Sequence, residues 1–337
     1  MTTEALLAAC GVEDQVLWRK LGRRRLETAH RAGDLDLQEA LKRAHPSLVW
    51  NLWLPLLTVL ERRLGEGPPV LIGLNGPVGA GKSTLAQVLR ALAAQAGIHL
   101  AIASIDDAYL PWEERQKVLT GNPFGVGRVP PGSHGSDVFT TALGQWRQGG
   151  LLRLPRFDKT LRGGEGDRCG WSEQRADAVL LEGWLLGCRP IPQDQLTAMV
   201  HAQGGASGLG LSEAEVDWLP RWNQALGDYG PLWEHLDTLW ILRPVDWTCP
   251  RRWRLQAEAQ QRRRYPGSGL TPANVEALVR ASLGSLPPSL YQDPLLGKAE
   301  GVALIDRQRR CPWSGTGAEA PSALAQLSLS SSTSAIG

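Results

Sequence analysis

Apolar residues recur along this chain in two rhythms. Between residues 49 and 64, Val49, Leu52, Trp53, Leu56, Leu57, Leu60 and Leu64 stand three or four apart, the spacing of one buried helix face. Pro55 interrupts that stripe and predicts a kink there. Residues 1–66 therefore read as a helical extension, and Gly65-Glu66-Gly67-Pro68-Pro69 as the hinge after it. The basic cluster of Lys20, Arg23, Arg24 and Arg25 in this extension fits a solvated helix face better than an anion site.

After residue 69 the rhythm changes to short, continuous apolar runs. Val70 to Asn75, Leu100 to Ile105, Ala178 to Leu181, Thr238 to Leu242 and Val302 to Asp306 have the length and composition of buried strands. Helical spacing separates several of them. Leu85, Val88, Leu89 and Leu92 form one such stripe, with Gly97 placed to end the helix. Another helix opens near Arg251 and runs into Arg262-Arg263-Arg264-Tyr265-Pro266. Strands that alternate with helices predict an α/β domain, here over 67–312. Residues 111–170 are rich in Gly, Pro and Arg and show little periodicity outside a helix near Asp137 to Trp146. A long irregular stretch inside a compact domain is usually functional. From 313 to 337 the chain turns to Gly, Ala and Ser, which predicts a disordered tail.

Composition narrows the function classes. A chain of 337 residues with 42% hydrophobic and 21% charged residues has the make-up of a soluble globular protein. A net charge of +2 gives no global pull toward nucleic acid or anionic membrane. The most apolar stretch, Ser47 to Leu60, is broken by Asn51 and Pro55 and is too short to span a bilayer. Neither partner is expected. The cysteines Cys10, Cys169, Cys188, Cys249 and Cys311 are dispersed, without the paired spacing of a zinc site or a disulfide framework. The N-terminus carries acids and no basic segment, unlike a signal peptide. A cytoplasmic protein is the expectation. With 30 arginines against 6 lysines, the lysine at position 82 stands out.

That lysine closes a recognisable stretch. Gly76, Pro77, Val78, Gly79, Ala80, Gly81, Lys82, Ser83 and Thr84 follow the first strand and open the first helix of the domain. The spacing is that of the phosphate loop, G-x-x-x-x-G-K-[ST]. Glycines let several N–H groups turn toward one anion, and the helix adds its positive end. Lys82 reaches β- and γ-phosphates in such a loop, and the Ser83 hydroxyl holds Mg²⁺. ATP and Mg²⁺ are the implied cofactors.

Acids end two other strands. Asp106 and Asp107 follow the second, at the edge where open parallel sheets bind ligands. They are placed to accept a hydroxyl proton or to hold Mg²⁺ through water; an Asp helix cap is the plainer alternative. Glu182 ends the AVLL strand in the pattern that orients Mg²⁺ beside a phosphate loop. In the irregular stretch, Arg156, Lys159 and Arg168 suggest a pocket for an anionic acceptor, since an arginine fork matches a carboxylate. The arginine-rich helix near Arg252 and Arg254 suits a lid that offsets charge on a transferring group.

Together these segments resemble the P-loop kinases of the phosphoribulokinase and uridine kinase group. They resemble the plant-type D-glycerate 3-kinases more closely still. The carriers are GPVGAGKST at 76–84, SIDDAYL at 104–110, GSH at 132–134, PRFDK at 155–159, GEGDR at 164–168, LLEGWLLG at 180–187 and RWRLQAE at 252–258. The phosphate loop is generic; the EGW and RWRLQAE segments are specific to the glycerate kinase-like branch. The resemblance covers about residues 46–310 and implies transfer of the ATP γ-phosphate to the 3-hydroxyl of D-glycerate, a step of photorespiration in phototrophs. It assigns the catalytic base to Asp106.

The expected architecture is a P-loop NTPase fold with a five-stranded parallel sheet, ordered 2-3-1-4-5, and helices on both faces. The expected site has Lys82, Asp106 and Arg254 as catalytic residues, and Ser83, Glu182 and Asp107 at the metal. His134, Arg156, Lys159 and Arg168 would meet the acceptor. Alternatives are a kinase of the same architecture acting on uridine, pantothenate or a pentose phosphate, and a regulatory ATPase without a small acceptor.

Overall fold

The computed structural model describes residues 1–31, 34–67, 69–264 and 270–333. Two of the N-terminal helices, α1 (Gln15–Arg31) and α2 (Leu54–Glu66), lead into β1 (Val70–Asn75). Helix α3 (Lys82–Gln95), β2 (Leu100–Ser104), α4 (Trp112–Leu119) and α5 (Ser136–Arg147) follow. Next come β3 (Leu152–Asp158), β4 (Asp167–Gln174), β5 (Ala178–Gly183) and β6 (Thr238–Pro244). Two long helices, α6 (Cys249–Arg264) and α7 (Pro272–Ser285), precede β7 (Gly301–Ile305), β8 (Trp313–Gly315) and α8 (Ala320–Thr333).

The main sheet runs β2-β5-β1-β6-β7-β8. Its first five strands are parallel and stand in the order expected for the five apolar runs. The sixth departs from expectation. β8 pairs antiparallel with β7, Val302 opposite Gly315 and Leu304 opposite Trp313, so the sheet is mixed. The disordered tail expected from 313 is corrected at the same point: α8 follows β8, and its Ala320 and Ala323 are buried. A three-residue strand carries no readable period, and Ala-Ser composition hides a helix whose small side chains pack closely. Residues 334–337 of that expected tail lie outside the described residues, as do 265–269 beyond the arginine-rich helix and Pro68 of the hinge.

Side chains alternate across the strands and divide the core in two. Val70, Ile72 and Leu74 of β1, with Ala178 and Leu180 of β5, join one cluster. Leu71, Val179 and Leu181 join the other. The first cluster holds Leu6, Leu52, Leu56, Leu57 and Leu60 of the N-terminal helices together with Leu85 and Leu89 of α3. The expected stripe is therefore buried, and its interruption is a π-helical turn at Val49–Trp53 just ahead of Pro55. A proline without an N–H is tolerated in the first turn of the helix that follows.

The second cluster lies under the segment expected to be irregular. That segment contains the β3–β4 hairpin, with a register shift between Pro155 and Phe157. Leu152 and Leu154 point into the core while Arg153 and Arg156 are exposed. The bulge and the proline cut this alternation too short to read in the sequence.

Candidate active site

The phosphate loop joins β1 to α3, and its conformation depends on glycine. Gly79 and Gly81 have φ of 77° and 94°, in the left-handed region. At Gly79 there is no space either: a Cβ would stand 2.8 Å from Trp253 Cβ and 3.0 Å from the Arg254 nitrogen. The loop thus lies directly against the first turns of α6. Trp253 is fully buried there and donates its indole N–H to the Arg307 carbonyl at 3.2 Å.

Lys82 is buried at the start of α3. Its Nζ donates to the carbonyls of Gly76 at 2.8 Å and Pro77 at 3.1 Å, and lies 3.7 Å from Glu182 Oε2. Burial lowers its pKa, and Glu182 and Asp106 oppose that effect. Glu182 also accepts from the Ser83 hydroxyl at 3.2 Å. Sheet register brings these groups together, since Glu182 stands opposite Leu74 on one side and Ser104 on the other. The following Gly183 lets the strand ends pass, because a Cβ there would meet Ile105 Cγ2 at 2.6 Å.

Beyond β2 the chain turns through a 3₁₀ helix, Ile105–Ala108, capped by Ser104. Asp106 Oδ2 accepts from Lys159 Nζ at 2.7 Å. Burial pushes the Asp106 carboxyl up, but Lys159, His134 and Lys82 outweigh it and hold the group well below the usual carboxylate range. Asp107 moves the other way, raised to about 6 by burial first and by Asp106 second. The two acids are thus inequivalent: one is fixed as an anion, and the other gives up its proton more readily beside a cation.

Tyr109 and His134 meet across a single antiparallel bridge, their rings stacked at 4.3 Å. His134 Nδ1 lies 2.8 Å from the Tyr229 hydroxyl, which also accepts from the Gly132 N–H at 3.1 Å. The buried phenol proton finds a partner when Nδ1 accepts it, which puts the imidazole proton on Nε2. That Nε2 is buried without a hydrogen-bond partner among the described residues. Burial lowers the His134 pKa to about 4, so the ring is neutral at pH 7.

Lys82, Asp106, Tyr109, Arg128, Lys159, Glu182, Trp184 and Arg254 line one cavity of about 100 Å³. Donor-side and acceptor-side groups thus face the same small space. Arg254 enters it from α6 and is ion-paired with Glu258 at 3.0 Å.

Of the four expected acceptor residues only Lys159 lines this cavity; His134 is buried against Tyr109 and does not reach it, and two arginines are turned elsewhere. Arg156 is exposed, turned outward by the hairpin's alternation. Arg168 donates Nε to the Tyr109 carbonyl at 2.9 Å and does not line the cavity. Residues that sequence reasoning missed are Tyr109, Arg128, Val129 and Trp184. Val129 has φ of 97°, an outlier for a β-branched residue, and no one-dimensional pattern announces it.

Behind this wall Arg115 is completely buried. Its guanidinium donates to the carbonyls of Gly127 at 2.6 Å, Leu110 at 2.8 Å, Glu165 at 3.1 Å and Gly166 at 2.6 Å, and sits 5.0 Å from the Phe157 ring centroid. One side chain ties together three separated parts of the irregular segment.

A phosphate loop on β1, an acid ending the neighbouring strand and a cavity shared with a second acid define a P-loop kinase. No family model matches the chain. The D-glycerate 3-kinase from Cryptococcus neoformans var. grubii has a similar structure, with a TM-score of 0.68 and 27% identity over 77% of this chain and 96% of that one. The chloroplastic D-glycerate 3-kinase of Arabidopsis thaliana is 31% identical over 256 residues, 71% of this chain and 52% of that protein. The chain thus spans about half the length of the plant protein. The uncharacterized kinase mug58 of Schizosaccharomyces pombe is 29% identical over 215 residues, 60% of this chain and 75% of that protein. Within the P-loop kinase family, the chain is a homologue of the D-glycerate 3-kinases.

Proposed function

We propose that this kinase transfers the γ-phosphate of ATP to the 3-hydroxyl of D-glycerate, giving 3-phosphoglycerate. The observation that carries the reading is the shared cavity, in which the phosphate-loop Lys82 and the acceptor-side Asp106–Lys159 pair face one another. Its volume of about 100 Å³ is small beside the ~300–1,000 Å³ clefts that take drug-sized ligands. That favours a three-carbon acid over uridine or pantothenate. Names and sequences of the two glycerate kinases support the same substrate.

The loop from Gly76 to Thr84 cradles the nucleotide phosphates with its N–H groups and the start of α3. A hard cation takes oxygen ligands and keeps waters. Ser83 and Glu182, 3.2 Å apart, fit Mg²⁺, with Asp107 as its proposed water-mediated partner. Bound Mg²⁺ would neutralise charge on the phosphates.

Asp106 accepts the acceptor hydroxyl and orients it. A carboxylate held so firmly ionised is a weak base. It therefore acts by positioning until the proton becomes acidic late in a loose transition state. Lys82 and Arg254 offset charge on the transferring group. His134 stays neutral and backs Tyr109 from outside the cavity, and Lys159 keeps Asp106 in place. Residues 67–312 form the kinase domain in this reading, and 1–66 its helical extension. No helix among the described residues is long and apolar enough to cross a membrane. A cytoplasmic site fits five free cysteines, and a photorespiratory role applies where the host is a phototroph.

A coupled ADP-release assay offering D-glycerate, L-glycerate, uridine, pantothenate and ribulose 5-phosphate tests the proposal. D-glycerate should give the highest kcat/KM. Preference for another acceptor, or ATP hydrolysis indifferent to all five, refutes it.

A further inference from the structure

The cations around the cavity are not equally answered. Lys82 faces Glu182, Lys159 pairs with Asp106 and Arg254 with Glu258. Arg128 has no carboxylate within ion-pair distance among the described residues, although it is only 6% exposed. Its protein partner is the Gly164 carbonyl, which accepts from Nη1. Arg115, also buried and hydrogen-bonded to carbonyls, is close enough for Arg128 to oppose its charge, while Asp167 and Glu165 favour it. Tyr109, on the cavity side, is an uncharged phenol whose ionisation burial strongly opposes. Arg128 is thus a buried charge with no carboxylate of its own among the described residues, an arrangement that proteins avoid unless a ligand supplies one. Val129, beside Arg128, is held at φ 97°, a conformation that persists only where the surroundings enforce it.

We propose that Arg128 is the seat of the acceptor's carboxylate and the residue that makes this kinase select anionic acceptors. The inference rests on the reading of the cavity as the acceptor site. Arg128 and Asp106 line the same small space. A molecule with a carboxylate at one end and a hydroxyl at the other bridges them, placing the hydroxyl on Asp106. The guanidinium fork offers two parallel N–H groups to a carboxylate, which a lysine cannot reproduce. Arg156 and Arg168, the arginines that the sequence put forward for this task, are exposed or committed to the Tyr109 carbonyl.

The test compares wild type, Arg128→Met and Arg128→Lys. Acceptors are D-glycerate and glycerol, which keeps the hydroxyls and lacks the charge. ADP release gives kcat/KM, and calorimetry gives D-glycerate affinity with a non-hydrolysable ATP analogue bound. Wild type should favour D-glycerate strongly. Arg128→Met should lose about 100-fold or more with D-glycerate and little with glycerol, with the KM for ATP unchanged. Arg128→Lys keeps a charge and a donor for Gly164, so it should fold even where the Met variant does not, and should lose about 10-fold.

An unchanged preference in the variants overturns the inference. So does wild-type binding that ignores acceptor charge, or an absence of D-glycerate binding without turnover of any other anion. If wild type turns over a different anionic acceptor, the substrate proposal fails alone, and the variants are then scored on that acceptor.

Discussion

Lys82 contacts two carbonyls of its own loop and Glu182 at the end of β5, all within 3.7 Å. Replacing it with alanine removes a charge without opening a large void. Lys82→Ala should therefore lower kcat/KM by at least ~1,000-fold while its circular dichroism and melting curve stay native; near-normal turnover would sink the assignment. Asp106→Asn keeps the shape and loses the anion, so kcat should fall by ~100-fold or more while ATP affinity holds. A loss confined to nucleotide affinity would make Asp106 a metal ligand instead.

His134 ties pH to stability. Its folded pKa of about 4 lies below the ordinary 6.5, so between those values the unfolded chain binds a proton that the native chain refuses. Stability contributed by the neutral ring is whole above about pH 6.5 and is lost as pH falls toward 4. The unfolding free energy of wild type should drop by ~3 kcal/mol more than that of His134→Gln over this window. Parallel curves in urea titrations at pH 7 and pH 4 would contradict a buried neutral histidine.

At the scale of elements, what was legible in the sequence had to be contiguous. The phosphate loop with its strand and helix is one unbroken stretch, and Glu182 closes a plain apolar run. The acceptor wall is different in kind. Tyr109, Arg128, His134 and Lys159 come from four separated turns. Arg128 is one arginine among 30, marked only by the lack of a carboxylate partner among the described residues, which no sequence displays. The hairpin escaped because Pro155 and a bulge break its alternation, and β8 because three residues carry no period.

Arg115 shows why the wall holds its shape without regular structure. Arg115→Met leaves one buried and three part-buried carbonyls short of a donor, together worth ~2 kcal/mol or more. Local opening of 120–166, read as limited proteolysis, should then rise by ~10-fold or more. Cleavage at the wild-type rate would show that the tether is dispensable.

Across the whole molecule, five parallel strands and their order followed from the apolar runs and the family resemblance. The boundary between extension and domain did not translate into separate cores. Leu52, Leu56 and Leu60 pack in the same cluster as Ile72 and Leu89. A chain beginning at residue 67 should therefore be insoluble or aggregated by size-exclusion chromatography, and a stable monomer would show the domain to be self-sufficient. The sheet keeps that cluster apart from the one beneath the acceptor wall. Selection can consequently act on the two faces separately. A lineage could redraw the turns around Arg128 and Tyr109 to take a new acceptor, while the opposite face, which carries the nucleotide-binding helix, drifts on its own schedule. Among such kinases, substrate range should diverge faster than the fold that carries it.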